Sequence, residues 1–148
     1  MGYCTKRPDA VAWICGGAEA PQLSGCVRFY QEKGCVLIVA RVSGLPESET
    51  GFFGFQIHQG GSCAGAGFAG TGSHYDPTFQ PHPKHAGDLP PLLCCRGSAY
   101  LSVRTDRFSV KDIVEKTVVI HSDPDDFHSQ PAGNAGKKIA CGVIRKGT

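Results

Sequence analysis

The sequence predicts a single all-β domain, spanning 1–148, of about eight antiparallel strands with one long loop set into it. Three observations carry that expectation. Twenty glycines and ten prolines break the chain into short segments, which suits many turns better than helices. Those segments are β-branched or alternating runs of strand length. From Gly60 to Leu93 the strand pattern stops, with six glycines between Gly60 and Gly72 and five prolines between Pro77 and Pro91. A loop that long inside a compact domain is functional or disordered.

The strands follow in order. Ala10–Cys15 ends at Gly16-Gly17. Gly25–Tyr30 alternates, with Val27 and Phe29 on one face. Cys35–Val42 is β-branched and stops at Ser43-Gly44-Leu45-Pro46. Strands this closely spaced pair through hairpins. Gly51–Gln59 puts Phe53, Phe55 and Ile57 on a core face and Gln56 and His58 on the other, because side chains alternate along a strand. After the loop, Ser98–Arg104 is extended. Ser109–Glu115 is either one helical turn or a loop with a short strand. Thr117–His121 is a strand with Val119 and His121 on one face, and Lys138–Ile144 is the last. No helix is secure, and no repeat is visible.

Composition excludes several classes. Hydrophobic residues make up 41% and charged residues 19%, and this is globular rather than disordered. A net charge of +2 with scattered basic residues gives no footprint for nucleic acid. No apolar run approaches the roughly 20 residues that span a bilayer. The N-terminus, interrupted by Lys6, Arg7, Pro8 and Asp9, is not a secretory signal. It implies a cytoplasmic protein if the chain is complete as given. No residue pattern sets an oligomeric state. Of the eight cysteines, Cys15, Cys26 and Cys35 lie in or beside apolar runs and are expected to be small buried hydrophobes. Cys94 and Cys95 are adjacent, and no C-x-x-C pair points to a thiolate metal site.

The loop itself carries chemistry. Three of the six histidines, His74, His82 and His85, fall within twelve residues, with Asp88 just beyond. Neutral imidazole and carboxylate oxygen are zinc ligands, and a closed tetrahedral site takes four. A bound ion would supply the order that the loop's composition does not. His58 and His121 each end a strand. If those strands are neighbours, the two rings reach a second site beside the first, and imidazoles with an open position suit copper. His128 has no role in this reading.

Five stretches then carry a resemblance: GFQIH at 54–58, GSHYDP at 72–77, HAGDL at 85–89, VVIH at 118–121 and GNAGKKIACGV at 133–143. In this order, along nearly the whole chain, they resemble the copper/zinc superoxide dismutases, most closely the bacterial branch. The resemblance implies a Greek-key β-sandwich or flattened barrel, superoxide as substrate, and zinc and copper as cofactors. It implies zinc on His74, His82, His85 and Asp88, and copper on His58, His74 and His121, with His74 shared between the metals. The fourth copper position, histidine in the family, is Gln56. Cys63 and Cys141 match the family's disulfide. Asp125 matches the aspartate that links a copper ligand to a zinc histidine, and here it would join His82 to Gln56. Lys138 matches the cation beside the copper channel, lysine keeping the charge without the planar guanidinium. Lowered copper affinity or activity follows from Gln56, since an amide is a poorer copper donor than imidazole. A zinc-binding, non-catalytic relative is the alternative.

Overall fold

A computed structural model describes residues 6–147. Cys4 lies outside the described residues. The element order is β1 (Ala10–Gly16), β2 (Ser24–Glu32), β3 (Cys35–Ser43), β4 (Phe52–Phe53), β5 (Phe55–His58), β6 (Leu92–Leu93), β7 (Ala99–Thr105), α1 (Val110–Ile113), β8 (Thr117–His121) and β9 (Lys138–Lys146). Short 3-10 turns within Ala66–Thr71 interrupt the long loop.

Seven strands form one curled antiparallel sheet in the order β5-β8-β9-β1-β2-β3-β7, and β4 and β6 pair as a small second sheet. This is the all-β barrel or sandwich architecture that the sequence predicts. The hairpins β1-β2 and β2-β3 come from adjacent runs, as their short turns require. Joining β3 to β7 and β1 to β9 brings distant segments together. None of the described helices is long and apolar enough to cross a membrane.

Alternation fills the core. Ala10, Ala12 and Ile14 of β1 point inward, as do Val27 and Phe29 of β2 and Val36, Ile38, Ala40 and Val42 of β3. Phe53, Phe55 and Ile57 join them from the other side. Each large side chain so removed from water stabilises the fold by about 1.5–3 kcal/mol. Two strands depart from one-sided burial. Every residue of β5 and of β8 is buried. One face of each lies on the core, and the long loop covers the other. Gln56 and His58 therefore face away from the apolar core, as alternation predicts, yet are shut off from solvent.

Four local readings change. The Gly51–Gln59 run is two strands in different sheets, because Gly54 turns its amide to Asp123 O (2.9 Å) and accepts from His121 N (2.8 Å). Leu92-Leu93, inside the segment read as loop, is the strand β6. Ser109–Glu115 resolves as the one-turn helix α1, closed by a capping box in which Ser109 and Asp112 bond each other's backbone N–H. Cysteine burial also differs. Cys26 is buried as expected, Cys35 is half-buried, and Cys15 is exposed. Cys15 sits one step out of phase with Ile14, so it points outward with Trp13.

Candidate metal centre

β5 and β8 are hydrogen-bonded neighbours, with Phe55 opposite Ile120 and His58 opposite Thr117. That pairing brings His58 and His121 onto one covered face. A register shift between Ile120 and His121 in the β8-β9 ladder places Lys138 opposite His121. Bulges of this kind re-aim a side chain at a strand end. The loop is laced to β5 on the same side. Tyr75 N bonds Ile57 O (2.9 Å), Gly87 N bonds Tyr75 O (2.9 Å) and Ile57 N bonds Gly87 O (2.9 Å).

Two clusters result. His74, His82, His85 and Asp88 offer ligand atoms within 4.8 Å of one another, and so do His58, His74 and His121. His74 belongs to both. Its Nδ1 lies 2.8 Å from Asp88 Oδ1 and 3.3 Å from His85 Nδ1. Its Nε2 is buried and has no hydrogen-bond partner among the described residues, which leaves that nitrogen for the second cluster.

The neighbours of each ring decide which nitrogen keeps a lone pair free. His58 Nδ1 faces Gly72 O at 2.8 Å, and His121 Nδ1 faces Gly136 O at 3.3 Å. A carbonyl only accepts, so each Nδ1 carries the proton and each Nε2 is left unprotonated. Those two Nε2 atoms stand 3.2 Å apart. His82 uses Nε2 to donate to Asp125 Oδ1 at 2.7 Å. Its Nδ1 comes within 3.1 Å of Asp88 Oδ2 but has no hydrogen-bond partner among the described residues. Proximity without alignment is not a hydrogen bond.

These features fit bound metals. Buried, unpartnered polar atoms are costly and rare, and here they converge as lone pairs. Burial, above all, drives the pKa of His58 down to about 3 and of His121 down to about 4, against the pull of the carbonyls on Nδ1. The nearby Lys138 ammonium pushes the same way. Both rings are neutral at physiological pH, the form that ligates metal. Burial pulls the Asp88 carboxyl upward, but the hydrogen bond with His74 and the neighbouring imidazoles of His74, His82 and His85 outweigh it and hold Asp88 below the usual range. It is a carboxylate, as a ligand must be.

Gln56 and Asp125 complete the interior. Gln56 is fully buried, its Nε2 donating to Asp125 Oδ2 at 3.3 Å and its Oε1 without a partner among the described residues. Asp125 thus joins Gln56 to His82, as the resemblance implies. Gly133, at φ 69°, makes room for this link, because a Cβ there would lie 2.0 Å from Asp125 Oδ1 and 2.6 Å from His82 Nε2. Cys63 and Cys141 form a disulfide that ties the loop to β9. Lys138 Nζ donates to Thr71 Oγ1 (2.8 Å) and Gly72 O (2.9 Å), and burial lowers its pKa. His128 lies apart, exposed, against Asp126.

Several supports are invisible at the level of residue pattern. The Gly72 and Gly136 carbonyls that orient the rings carry no residue signal. Gln130 grips the loop at both ends of one residue, its Oε1 accepting from His82 N (2.9 Å) and its Nε2 donating to His82 O (2.8 Å). Arg107 donates to Pro83 O (2.8 Å) and His85 O (3.0 Å).

Comparison with known proteins matches the sequence of this chain to one family. The family model described as copper/zinc superoxide dismutase matches residues 23–144. Superoxide dismutase [Cu-Zn] of Legionella pneumophila is 34% identical over 145 residues, covering 93% of this chain and 87% of the relative. Superoxide dismutase [Cu-Zn] 2 of Aquifex aeolicus is 33% identical, covering 84% and 80%, and superoxide dismutase [Cu-Zn] 3 of Arabidopsis thaliana is 33% identical, covering 91% and 88%. With relatives that similar over most of both chains, and a family model that matches well over half of this one, the chain belongs to the copper/zinc superoxide dismutase family.

Proposed function

We propose that this chain, as one domain, is a superoxide dismutase that converts superoxide to hydrogen peroxide and oxygen, with a complete zinc site and a copper site weakened by Gln56. His74, His82, His85 and Asp88 hold zinc. His58, His74 and His121 hold copper, with Gln56 in the fourth position. The observation that carries the reading is the His74 ring, whose Nδ1 is engaged in one cluster and whose Nε2 is buried and unpartnered beside the other. When bound, copper supplies one-electron exchange and zinc a fixed positive charge without redox.

The chain's own groups do the rest. Lys138 has three N–H donors and spends two on Thr71 and Gly72, which leaves one to draw in a small anion. His74 Nε2 is a buried nitrogen with no competing partner, so a proton can be held there. The Gly72 and Gly136 carbonyls fix the His58 and His121 rings without charge. Asp125 holds the His82 tautomer, and such outer groups commonly govern metal affinity by about 10–100-fold.

Gln56 supports the weakened copper site. With its Nε2 on Asp125, only Oε1 is left as a donor, a harder and weaker one than imidazole nitrogen. The same observation favours a second reading, a zinc-binding relative without catalysis. Metal analysis beside a superoxide assay, on the protein as isolated and after copper loading, separates them. The first reading expects about one zinc per chain, less than one copper, and dismutation that rises with copper loading. Zinc without copper uptake, and no dismutation after loading, establishes the second. Absence of zinc contradicts both.

A further inference from the structure

We propose that Cys15 is an exchange site for the Cys63–Cys141 disulfide, a thiol placed to take Cys141 from Cys63 and so release the loop that orients His58. The inference goes beyond the metal chemistry and stands on the strand register alone.

Cys15 lies directly opposite Cys141 in the β1-β9 ladder. The bonds Gly17 N to Ile139 O and Gly147 N to Asp9 O, both 2.8 Å, set the phase of that ladder. Odd-numbered residues of β1 are its hydrogen-bonded pairs, so Cys15 and Cys141 have a Cα separation of about 5.5 Å. That lies within the roughly 4.4–6.8 Å over which a disulfide closes, and the existing bridge spans 5.8 Å. Opposed residues point to the same face of a sheet. Cys15 is exposed, so this face is the outer one, where the loop lies. The loop reaches β1 as well, since a Cβ on Gly17, two residues along on the Cys15 face, would lie 2.8 Å from Phe68 Cζ. Cys15 therefore stands at the solvent edge of the loop beside the bridge. The other free cysteines among the described residues, Cys26, Cys35, Cys94 and Cys95, are not in register with it.

The exchange balances without any outside oxidant or reductant. Cys15 gives its proton to solvent, and the thiolate attacks Cys141 Sγ. The Cys15–Cys141 bond forms as the Cys63–Cys141 bond breaks, and Cys63 leaves as a thiolate that takes up a proton. One disulfide and one thiol exist before and after. What changes is the loop. Cys63 is its covalent tie to the sheet, and Gly72, further along the same loop, receives both His58 Nδ1 and Lys138 Nζ. With Cys63 free, the segment that carries this carbonyl keeps its backbone bonds to Gln59 and Gly60 but loses its covalent tie to β9.

The test is disulfide mapping on the full chain. The protein is held at mildly alkaline pH, where thiolate attack is favoured, then quenched in acid, alkylated with N-ethylmaleimide and digested without reduction. Two species are expected: Cys63–Cys141 with Cys15 alkylated, and Cys15–Cys141 with Cys63 alkylated. Cys15→Ser should abolish Cys63 alkylation and leave one species. Finding Cys63 unlabelled in every unmodified chain overturns the proposal. A second arm uses Cys63→Ser with oxidised glutathione, where a Cys15–Cys141 bridge is expected. Persistence of both as thiols or glutathione adducts overturns the register argument. If that variant does not fold, the first arm decides alone.

Discussion

The two halves of the metal centre are assembled in different ways. The His74, His82, His85 and Asp88 cluster comes from one stretch of loop, and side chains support it: Asp125 on His82, Gln130 on the His82 backbone, Arg107 on the Pro83 and His85 carbonyls. The His58, His74 and His121 cluster comes from β5, the loop and β8, and backbone carbonyls of Gly72 and Gly136 orient its rings. One half is made by local sequence, the other by sheet register. The local half is fastened to the sheet as well, through Tyr75 and Gly87 on Ile57. The register half depends on strands and loop holding position together, and it is the half that holds the Gln56 amide.

The largest expected effect separates the halves. His85→Ala should empty the zinc site with little copper loss, and His121→Ala the reverse. His74→Ala should lose both, each by more than the roughly 10–100-fold that a supporting group commands. Metal content of the three purified variants reads this directly, and equal behaviour of all three would dissolve the distinction. Next comes Asp125→Asn, which keeps the shape but weakens the acceptor for His82. Zinc affinity should fall about 10–100-fold, and a competition titration with a chelator measures it. An unchanged zinc affinity would mean that the link to His82 is ornamental.

A smaller effect appears in the chelated protein as pH changes. His58 and His121 are held to about 3 and about 4 in the fold, against about 6.5 in an unfolded chain. Below about 6.5 the unfolded chain therefore binds more protons than the folded one, so stability falls as pH falls toward about 4 and is fully present above about 6.5. The urea midpoint of metal-free protein at both ends of that window checks the sign. A midpoint that does not drop in acid contradicts the neutral burial of these rings. The smallest effect is that of Lys138→Ala. It should slow superoxide capture by about tenfold or more at low salt and flatten its dependence on ionic strength, as read by kcat/KM against added salt.

How much of this was legible in the sequence follows the same division. The loop cluster could be read directly, because its ligands are close in the chain and its glycines and prolines rule out a strand. The long strands could be read because β-branched runs and alternation report one-sided burial. Register could not. Whether β5 neighbours β8, and whether Cys15 faces the core or the Cys63–Cys141 bridge, depends on pairings between residues far apart in the chain. Two-residue strands such as Leu92-Leu93 have no period to detect. Carbonyls such as Gly72 O leave no mark, since every residue has one. The resemblance bridged that gap for His58, His121, Asp125 and Lys138, and was silent on Cys15, Gln130 and Arg107.

The measurement that tests the central claim most directly is copper occupancy in Gln56→His, set beside superoxide dismutation in the same samples. The account predicts that the unmodified protein holds less than one copper per chain with zinc near one. The variant should raise copper occupancy and activity in parallel and leave zinc unchanged. A full complement of copper in the unmodified protein, with neither quantity moved by the substitution, would contradict it.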